Sequence, residues 1–168
     1  MRYIASLSYG KDSLAMLEII YRNGLPLTDI VTADIWATPD IPAYLPELVD
    51  FRARLDREIY DRYGIAVTHV RAEKTFVDLF YRELSERSKY TGIYGWPPVF
   101  GHWCMKWLKQ QPIQDYFKGL DFAEYVGIAA DETARHGQLN ERKRAPLVEF
   151  GITEAMAMEI CKELNWVS

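Results

Sequence analysis

Hydrophobic and polar positions along the chain fall into alternating blocks of two kinds. Arg2 to Ser8 reads as a short strand that stops at Tyr9-Gly10, a break suited to a tight turn. From Asp12 to Arg22 the apolar positions Leu14, Met16, Leu17, Ile20 and Tyr21 predict a helix with a wide buried face, closed by Asn23-Gly24. Thr28 to Asp34 is a second strand whose small and β-branched residues suit burial on both faces. Asp40 is positioned to cap a long helix reaching about Tyr63, with Leu48, Phe51, Leu55 and Ile59 as its apolar stripe. Ala66 to Arg71 is a third strand, and Thr75 caps a short helix through Leu84. Between Ser85 and Gly101 regular periodicity is lost. Tyr90, Tyr94, Trp96 and Phe100 alternate there with Gly92, Gly95, Pro97 and Pro98, which predicts an ordered loop of the kind that carries function. His102 to Phe117 returns to helix, kinked or split by Pro112. Glu124 to Ala130 is a fourth strand, and a polar, basic connection follows to Arg144. Thr153 then caps a final helix with Met156, Ile160, Cys161 and Leu164 on one side.

Strands alternating with helices predict an α/β fold: a Rossmann-like parallel sheet with helices on both faces, because parallel neighbours need crossover connections. Ligands of such sheets sit beyond the carboxyl ends of the strands. The chemistry is therefore expected just after Ser8, Asp34, Arg71 and Ala130.

Composition narrows the class. At 168 residues the chain is the size of one domain, and 49% hydrophobic content excludes a disordered tail. No apolar run approaches the ~18–20 residues of a membrane-spanning helix, so no membrane partner is expected. Met1-Arg2-Tyr3 leads directly into a strand without the pattern of a signal peptide, and a cytoplasmic location is the expectation. Cys104 and Cys161 are too few for a disulfide framework or, within one chain, a four-thiolate cluster; no intrinsic iron–sulfur cluster is expected. His69, His102 and His136 are dispersed, without zinc-site spacing. A net charge of −4 argues against broad nucleic-acid binding but leaves room for a local basic patch.

The first turn carries the most specific signal. In Ser8-Tyr9-Gly10-Lys11-Asp12-Ser13, Gly10 lets the backbone pass close to a ligand, the open amides of the helix start point toward it, and Lys11 adds a positive charge. The Ser8 and Ser13 hydroxyls can donate to phosphate oxygens, and Asp12 suits a divalent cation shared with them. A Ser/Gly turn with an Asp cap also begins helices that bind nothing. A Walker A loop is excluded, because Ala5 and Asp12 stand where it needs Gly and Ser/Thr. A dinucleotide fingerprint is excluded because Gly10 lacks its partner glycines.

Ser8-Tyr-Gly-Lys-Asp-Ser13 resembles the pyrophosphate-binding loop, Ser-x-Gly-x-Asp-Ser, of the adenine nucleotide α-hydrolase (PP-loop ATP pyrophosphatase) superfamily, in the Lys-bearing version typical of the phosphoadenylyl sulfate (PAPS) reductase family. Trp103-Cys104 with Lys109 and Pro112 is similar to a second segment of that family. Gly127-Ile-x-x-Asp131-Glu132-x-x-Arg135 is similar to a third, and Pro146 to Glu154 resembles a passage of its phage-type members. The resemblance runs from the first strand to the last helix and implies a single nucleotide-binding domain over residues 1–168. It implies that Ser8, Tyr9, Gly10, Lys11, Asp12 and Ser13 cradle the phosphates of ATP or PAPS, with Mg2+ on Asp12. Ala33 and Asp34 would line the adenine, and Gly127, Asp131, Glu132 and Arg135 would close the pocket. His102, Lys106, Lys109, Arg142 and Arg144 would meet the substrate or its anionic groups. The implied activity is cleavage of ATP between its α- and β-phosphates, with Lys11 and Asp12 catalytic and an acceptor adenylated. The alternatives are adenylyl sulfate reduction, or nucleotide binding without catalysis.

The sequence departs from that family at several points. The reductases' C-terminal Glu-Cys-Gly-x-His segment is not found, His102 stands where the family often has Arg, and Ala129 replaces an arginine. Cys161 falls in an apolar helical stripe and reads as a small buried hydrophobe. Cys104, between His102 and Lys106, is the candidate catalytic thiol, or else packs on a helix face. Arg135, Arg142, Lys143 and Arg144 oppose only Glu141 nearby, as an anion site or as a solvated charge run. Trp96, Trp103 and Trp107 could stack on a base, form the interface of a homo-oligomer, or pack in a core or lid.

Overall fold

The computed structural model describes residues 1–167 apart from 87, 90, 98–101 and 138. Tyr90, Pro98, Phe100 and Gly101 of the expected aromatic loop therefore lie outside the described residues. The chain divides into two compact units: Met1–Thr32, Glu47–Thr68 and Gly119–Ser168 form the first, and Ala33–Pro46 and His69–Lys118 the second.

The sheet is five-stranded and parallel, in the order β3-β2-β1-β4-β5. Its strands are β1 (Arg2–Ser6), β2 (Asp29–Asp34), β3 (Val67–Arg71), β4 (Phe122–Tyr125) and β5 (Lys143–Arg144). β1 pairs with β2 on one side, Ala5 opposite Ile30, and with β4 on the other, Ala5 opposite Tyr125. The chain thus builds outward from β1 in one direction and then in the other, so the strand order reverses between β1 and β4. Such a reversal opens a crevice at the carboxyl ends of the two strands.

Within the first unit, α1 (Lys11–Arg22) is buried continuously from Ser13 to Ile20. It packs on α6 (Pro146–Glu149) and α7 (Glu154–Glu163). A helix enclosed in this way must be apolar on nearly all sides, and Leu14, Ala15, Met16, Leu17 and Ile20 meet that need. α2 (Pro46–Tyr63) adds Phe51, Leu55 and Ile59 to the same core, and α7 adds Ala157, Ile160 and Cys161. Glu18 is the exception, fully buried on α1. Its carboxylate accepts from Arg22 Nε (2.6 Å), Arg62 Nε (2.8 Å), Arg62 Nη2 (2.6 Å) and the Tyr63 hydroxyl (3.0 Å). Those bonds satisfy a charge that would otherwise be costly to bury. Burial alone would raise its pKa, but the hydrogen bonds from Arg62, Arg22 and Tyr63 hold it below the ordinary carboxylate value.

The second unit has its own small core of Leu79, Trp103 and Leu108, covered by Ile35, Phe76, Phe80 and Cys104. α3 (Phe76–Phe80) begins with a capping box in which Thr75 Oγ1 accepts from the Asp78 amide, and Asp78 accepts from the Thr75 amide (2.8 Å). The helical stretch after His102 is split as Pro112 requires: a π-helical turn over Met105–Gln110 gives way to α4 (Gln111–Phe117), with Pro112 in its first turn.

Several boundaries differ from those expected. The second helix starts at Pro46 rather than after Asp40, because Pro39, Pro42 and Pro46 disfavour helical geometry before each of them; Trp36 instead bridges to Pro42. The third helix ends at Phe80 rather than Leu84. The backbone beyond it pairs with the segment after Gly92, where Leu84 N donates to Gly92 O and Tyr94 N to Arg82 O. β4 ends at Tyr125 instead of Ala130 because the chain leaves the sheet to press against α1. The basic connection after it contains α5 (Thr133–His136) and β5, neither expected. No helix among the described residues is long and apolar enough to cross a membrane.

The pressure point is Gly127. A Cβ there would lie 2.7 Å from Ser13 N and 2.8 Å from Ser13 Cα, both backbone atoms that cannot swing aside. Gly127→Ala is expected to destabilise the protein by about 1–3 kcal/mol in urea unfolding, the usual cost of overpacking. Glu18 predicts a pH effect. With its folded pKa below the unfolded value of about 4.3, its contribution to stability is complete above that value and is lost as pH falls through the folded pKa. The urea midpoint should drop below pH ~4.3, and Glu18→Gln should flatten that part of the profile.

Candidate functional site

β1 runs out at Ser6, and Leu7 N still donates to Val31 O (2.8 Å) before the chain turns. Tyr9 carries the turn with φ of 59°, a left-handed conformation that a tyrosine adopts only when other contacts hold it there. The contacts come from α2. The Tyr9 ring is buried, the Arg52 guanidinium lies 4.4 Å from its centroid, and its hydroxyl donates to Asp56. Burial and then the Asp56 carboxylate push its pKa far above the ordinary phenol value, so it stays protonated. Tyr9, expected among the nucleotide-binding residues, turns its side chain into the core and offers the loop only its backbone.

The serine pair closes the loop from within. Ser8 Oγ and Ser13 Oγ lie 3.0 Å apart, Ser13 Oγ donates to Gly10 O (2.9 Å), and Ser8 N donates to Ser13 Oγ (3.2 Å). Gly10 is the N-cap of α1, and no side chain caps the helix. The first turn therefore presents uncapped amides and the positive end of the helix dipole, the combination that favours an anion.

Charges gather around Lys11. Its ammonium bonds both Asp12 carboxylate oxygens (2.8 and 3.0 Å) and lies 3.3 Å from Glu154 Oε2. Burial lowers its pKa, but Asp12 and Glu154 outweigh that and raise it. Asp131 accepts from the Glu154 amide (2.9 Å), tying the segment after β4 to the start of α7. Glu132 accepts from Ala129 N (3.0 Å) and from Arg135 Nη1 (2.9 Å). Burial raises its pKa, and Ala129, Arg135 and the nearby Lys11 charge more than offset this. Ser8–Ser13, Gly127, Asp131, Glu132 and Arg135 are thus brought to one place, the crevice where the strand order reverses. Glu154 and the Arg52–Asp56 clamp belong to the same arrangement and were not among the expected residues.

The basic patch is not open. Arg144 makes a paired contact with Glu149 (3.0 and 2.6 Å), Lys143 lies 3.9 Å from Glu124, and Arg135 is held by Glu132. Arg142 lies over the Phe122 ring at 5.8 Å. Acids from β4, α6 and the segment before α5 neutralise what the linear sequence shows as a run of cations.

The other expected residues fall in the second unit. Ala33 O accepts from the Tyr44 hydroxyl (3.3 Å), and Asp34 Oδ2 lies 3.0 Å from His69 Nδ1. His102 and Lys106 are exposed, with Lys106 Nζ 5.0 Å from the Trp107 ring centroid, and Lys109 is half-buried. Cys104 is half-buried against the Leu79–Trp103–Leu108 core. Trp103 is part of that core, its ring 5.1 Å from Phe76, whereas Trp107 is partly exposed.

No protein-family model matches the chain, and no curated protein matches it. Among solved structures, it is similar in fold to the U34-tRNA thiolase NcsA from Methanococcus maripaludis with its 4Fe–4S cluster, at a TM-score of 0.51 and 18% identity. The match covers 99% of this chain but only 57% of that one. It shows the fold.

That structure corrects the cofactor expectation of a nucleotide with Mg2+ and no cluster, because a protein of this fold carries an iron–sulfur centre. The residues of this chain do not fit such a centre, with two thiols where four are usual. The Asp12 carboxylate is engaged by Lys11, and no group of three or more His, Cys, Asp or Glu side chains that could hold a metal ion is found among the described residues.

The two thiols differ in a measurable way. Cys161 is fully buried, its S–H donates to Lys11 O (3.3 Å), and burial pushes its pKa up to about 11. A thiol reagent at pH 8 is expected to label Cys104 in the native protein and Cys161 only on unfolding, as read by mass spectrometry of the labelled peptides.

Proposed function

We propose that the chain is a nucleotide-binding enzyme of the adenine nucleotide α-hydrolase (PP-loop) superfamily, in its PAPS reductase-like branch, and that it cleaves ATP between the α- and β-phosphates. The observation that carries this reading is the Ser8–Ser13 loop. It stands at the reversal of strand order, with two hydroxyls 3.0 Å apart, uncapped helix amides and a lysine at the first helical position. The Trp103-Cys104, Lys109 and Pro112 positions and the Gly127–Arg135 segment support the narrower assignment by their resemblance to that branch.

In this reading the acceptor's nucleophilic atom attacks the α-phosphorus and the α–β bridging P–O bond breaks. The electron pair leaves with pyrophosphate, and the acceptor is left adenylated. The chain's part is to hold the phosphates and to spread the charge that builds on the leaving group. The amides of the first turn of α1 are fixed donors for that purpose and need no rearrangement as the charge develops, while the Ser8 and Ser13 hydroxyls would turn from each other and from Gly10 O to donate as well. Lys11 supplies the full positive charge. It lies between Asp12 and Glu154, and a polyphosphate would draw the ammonium away from that pair. Asp12 and Glu154 thus act as positioning residues for Lys11. Asp131, Glu132 and Arg135 close the crevice on the β4 side.

Pyrophosphate release from ATP and sulfite release from PAPS, measured side by side on wild type and Lys11→Ala, test the proposal. Pyrophosphate is expected from wild type, with Lys11→Ala slower by about 10²–10³, the usual loss for one such donor. Sulfite without pyrophosphate would replace this reading with reduction. Failure of both nucleotides to bind would leave only the fold.

A further inference from the structure

In the first unit the cations are mostly spent on carboxylates. Arg2 meets Asp29, Arg22 and Arg62 meet Glu18, Arg54 meets Glu58, Arg135 meets Glu132 and Arg144 meets Glu149. The second unit is built differently. It carries eight Lys and Arg against seven Asp and Glu, where the first carries twelve against seventeen. Three of its cations, Arg71, Lys74 and Arg82, make no ion pair with a carboxylate among the described residues.

These three side chains line one cavity of about 570 Å³, within the range of roughly 300–1,000 Å³ usual for small-molecule sites. Arg71 comes from the end of β3, Lys74 from the turn that follows, and Arg82 from just beyond α3. Two of them are steadied without being neutralised: Arg71 lies 5.3 Å over the Trp36 ring and Arg82 5.3 Å over the Tyr94 ring. Stacking of that kind fixes a guanidinium while leaving its charge and donors for a ligand. Glu73 and Asp115 also line the cavity, with Asp115 accepting from Gln111 Nε2 at 3.1 Å.

A flat apolar surface faces the same space. Trp107 lines the cavity and is 38% exposed. It sits on the π-helical turn Met105–Gln110, whose Leu108 is sunk in the core at 1% exposure. π-helical turns are rare and recur at functional sites. Here the turn anchors Leu108 while carrying Trp107 to the cavity wall.

We propose that this cavity binds a nucleotide, with the phosphate held by Arg71, Lys74 and Arg82 and the base stacked on Trp107. Arginine and lysine around one group suit a phosphate dianion, and a tryptophan face suits any base. The proposal stands apart from the Ser8–Ser13 loop and does not rest on its reading. The same chemistry is offered by a free mononucleotide and by an unpaired nucleotide of an RNA strand.

The experiment is a titration of uridine 5′-monophosphate into the 15N-labelled full chain, followed by NMR. The Trp107 indole and the amides of Arg71–Lys74 and Gln111–Asp115 are expected to shift. Uridine and inorganic phosphate should each bind at least tenfold more weakly. Arg71→Gln combined with Arg82→Gln should weaken binding at least tenfold in a protein whose remaining spectrum is native, and Lys11→Ala should leave it unchanged. Trp107→Leu, which keeps the cations, should abolish the preference for the nucleotide over phosphate. An oligouridylate that binds more tightly with the same shifts identifies RNA as the source of the nucleotide; equal affinity identifies the free nucleotide. The proposal is overturned if shifts are absent or confined to Ser8–Ser13, if phosphate alone binds as well as the nucleotide, or if the double variant binds like wild type.

Discussion

Where the chain leaves β4 it passes so close to the start of α1 that no side chain fits between them, and Gly127 occupies the point of contact against the Ser13 backbone. The crevice is built from that approach. It sets the Asp131–Glu132 segment against the loop, allows Asp131 to accept from the Glu154 amide, and so brings the first turn of α7 up to Lys11. The turn itself is held from the other side by the buried Tyr9 ring under Arg52. A strained turn, a buried anchor and a glycine contact together fix the positions of two hydroxyls, a helix terminus and one ammonium. Fixed backbone positions of this kind suit an anion, because the helix amides are already aimed and only the hydroxyl and ammonium protons have to change partner.

The charges around Lys11 come close to cancelling. Lys11 sits on Asp12 and Glu154, Arg135 on Glu132 and Arg144 on Glu149, so the site is not a standing basic patch. Binding must exchange partners, which suits a multiply charged ligand more than a single carboxylate: each phosphate oxygen that replaces an acid has to match its strength. In the second unit Arg71 and Arg82 lie over the Trp36 and Tyr94 rings instead of on carboxylates.

Local signals were legible in the sequence, and long-range ones were not. The Ser8–Ser13 turn, the capping role of Thr75 and the split at Pro112 are written in neighbouring residues, and each lies where it was expected. Four of the five strands and their parallel pairing follow from alternation with helices, and β5 does not. The start of α2 was misplaced because Asp40 looks like a cap, whereas the three prolines after Thr38 carry more weight than one cap. Tyr9 reads as part of a ligand loop until Arg52 and Asp56, more than 40 positions away, turn its ring into the core. The basic run at Arg142–Arg144 reads as an open patch because Glu124 and Glu149 approach it only through the fold. Glu18 shows the same limit: nothing in its neighbourhood announces that Arg62 and Tyr63 will satisfy it in the core.

A crystal structure of the chain with a non-hydrolysable ATP analogue tests the phosphate-binding role of the Ser8–Ser13 loop most directly. β- and γ-phosphate oxygens are expected within hydrogen-bond distance of the Ser8 and Ser13 hydroxyls and of the first amides of α1, with the Lys11 ammonium drawn off Asp12 and Glu154 onto the phosphates. Phosphates bound elsewhere, with the Lys11–Asp12–Glu154 contacts intact, would contradict it.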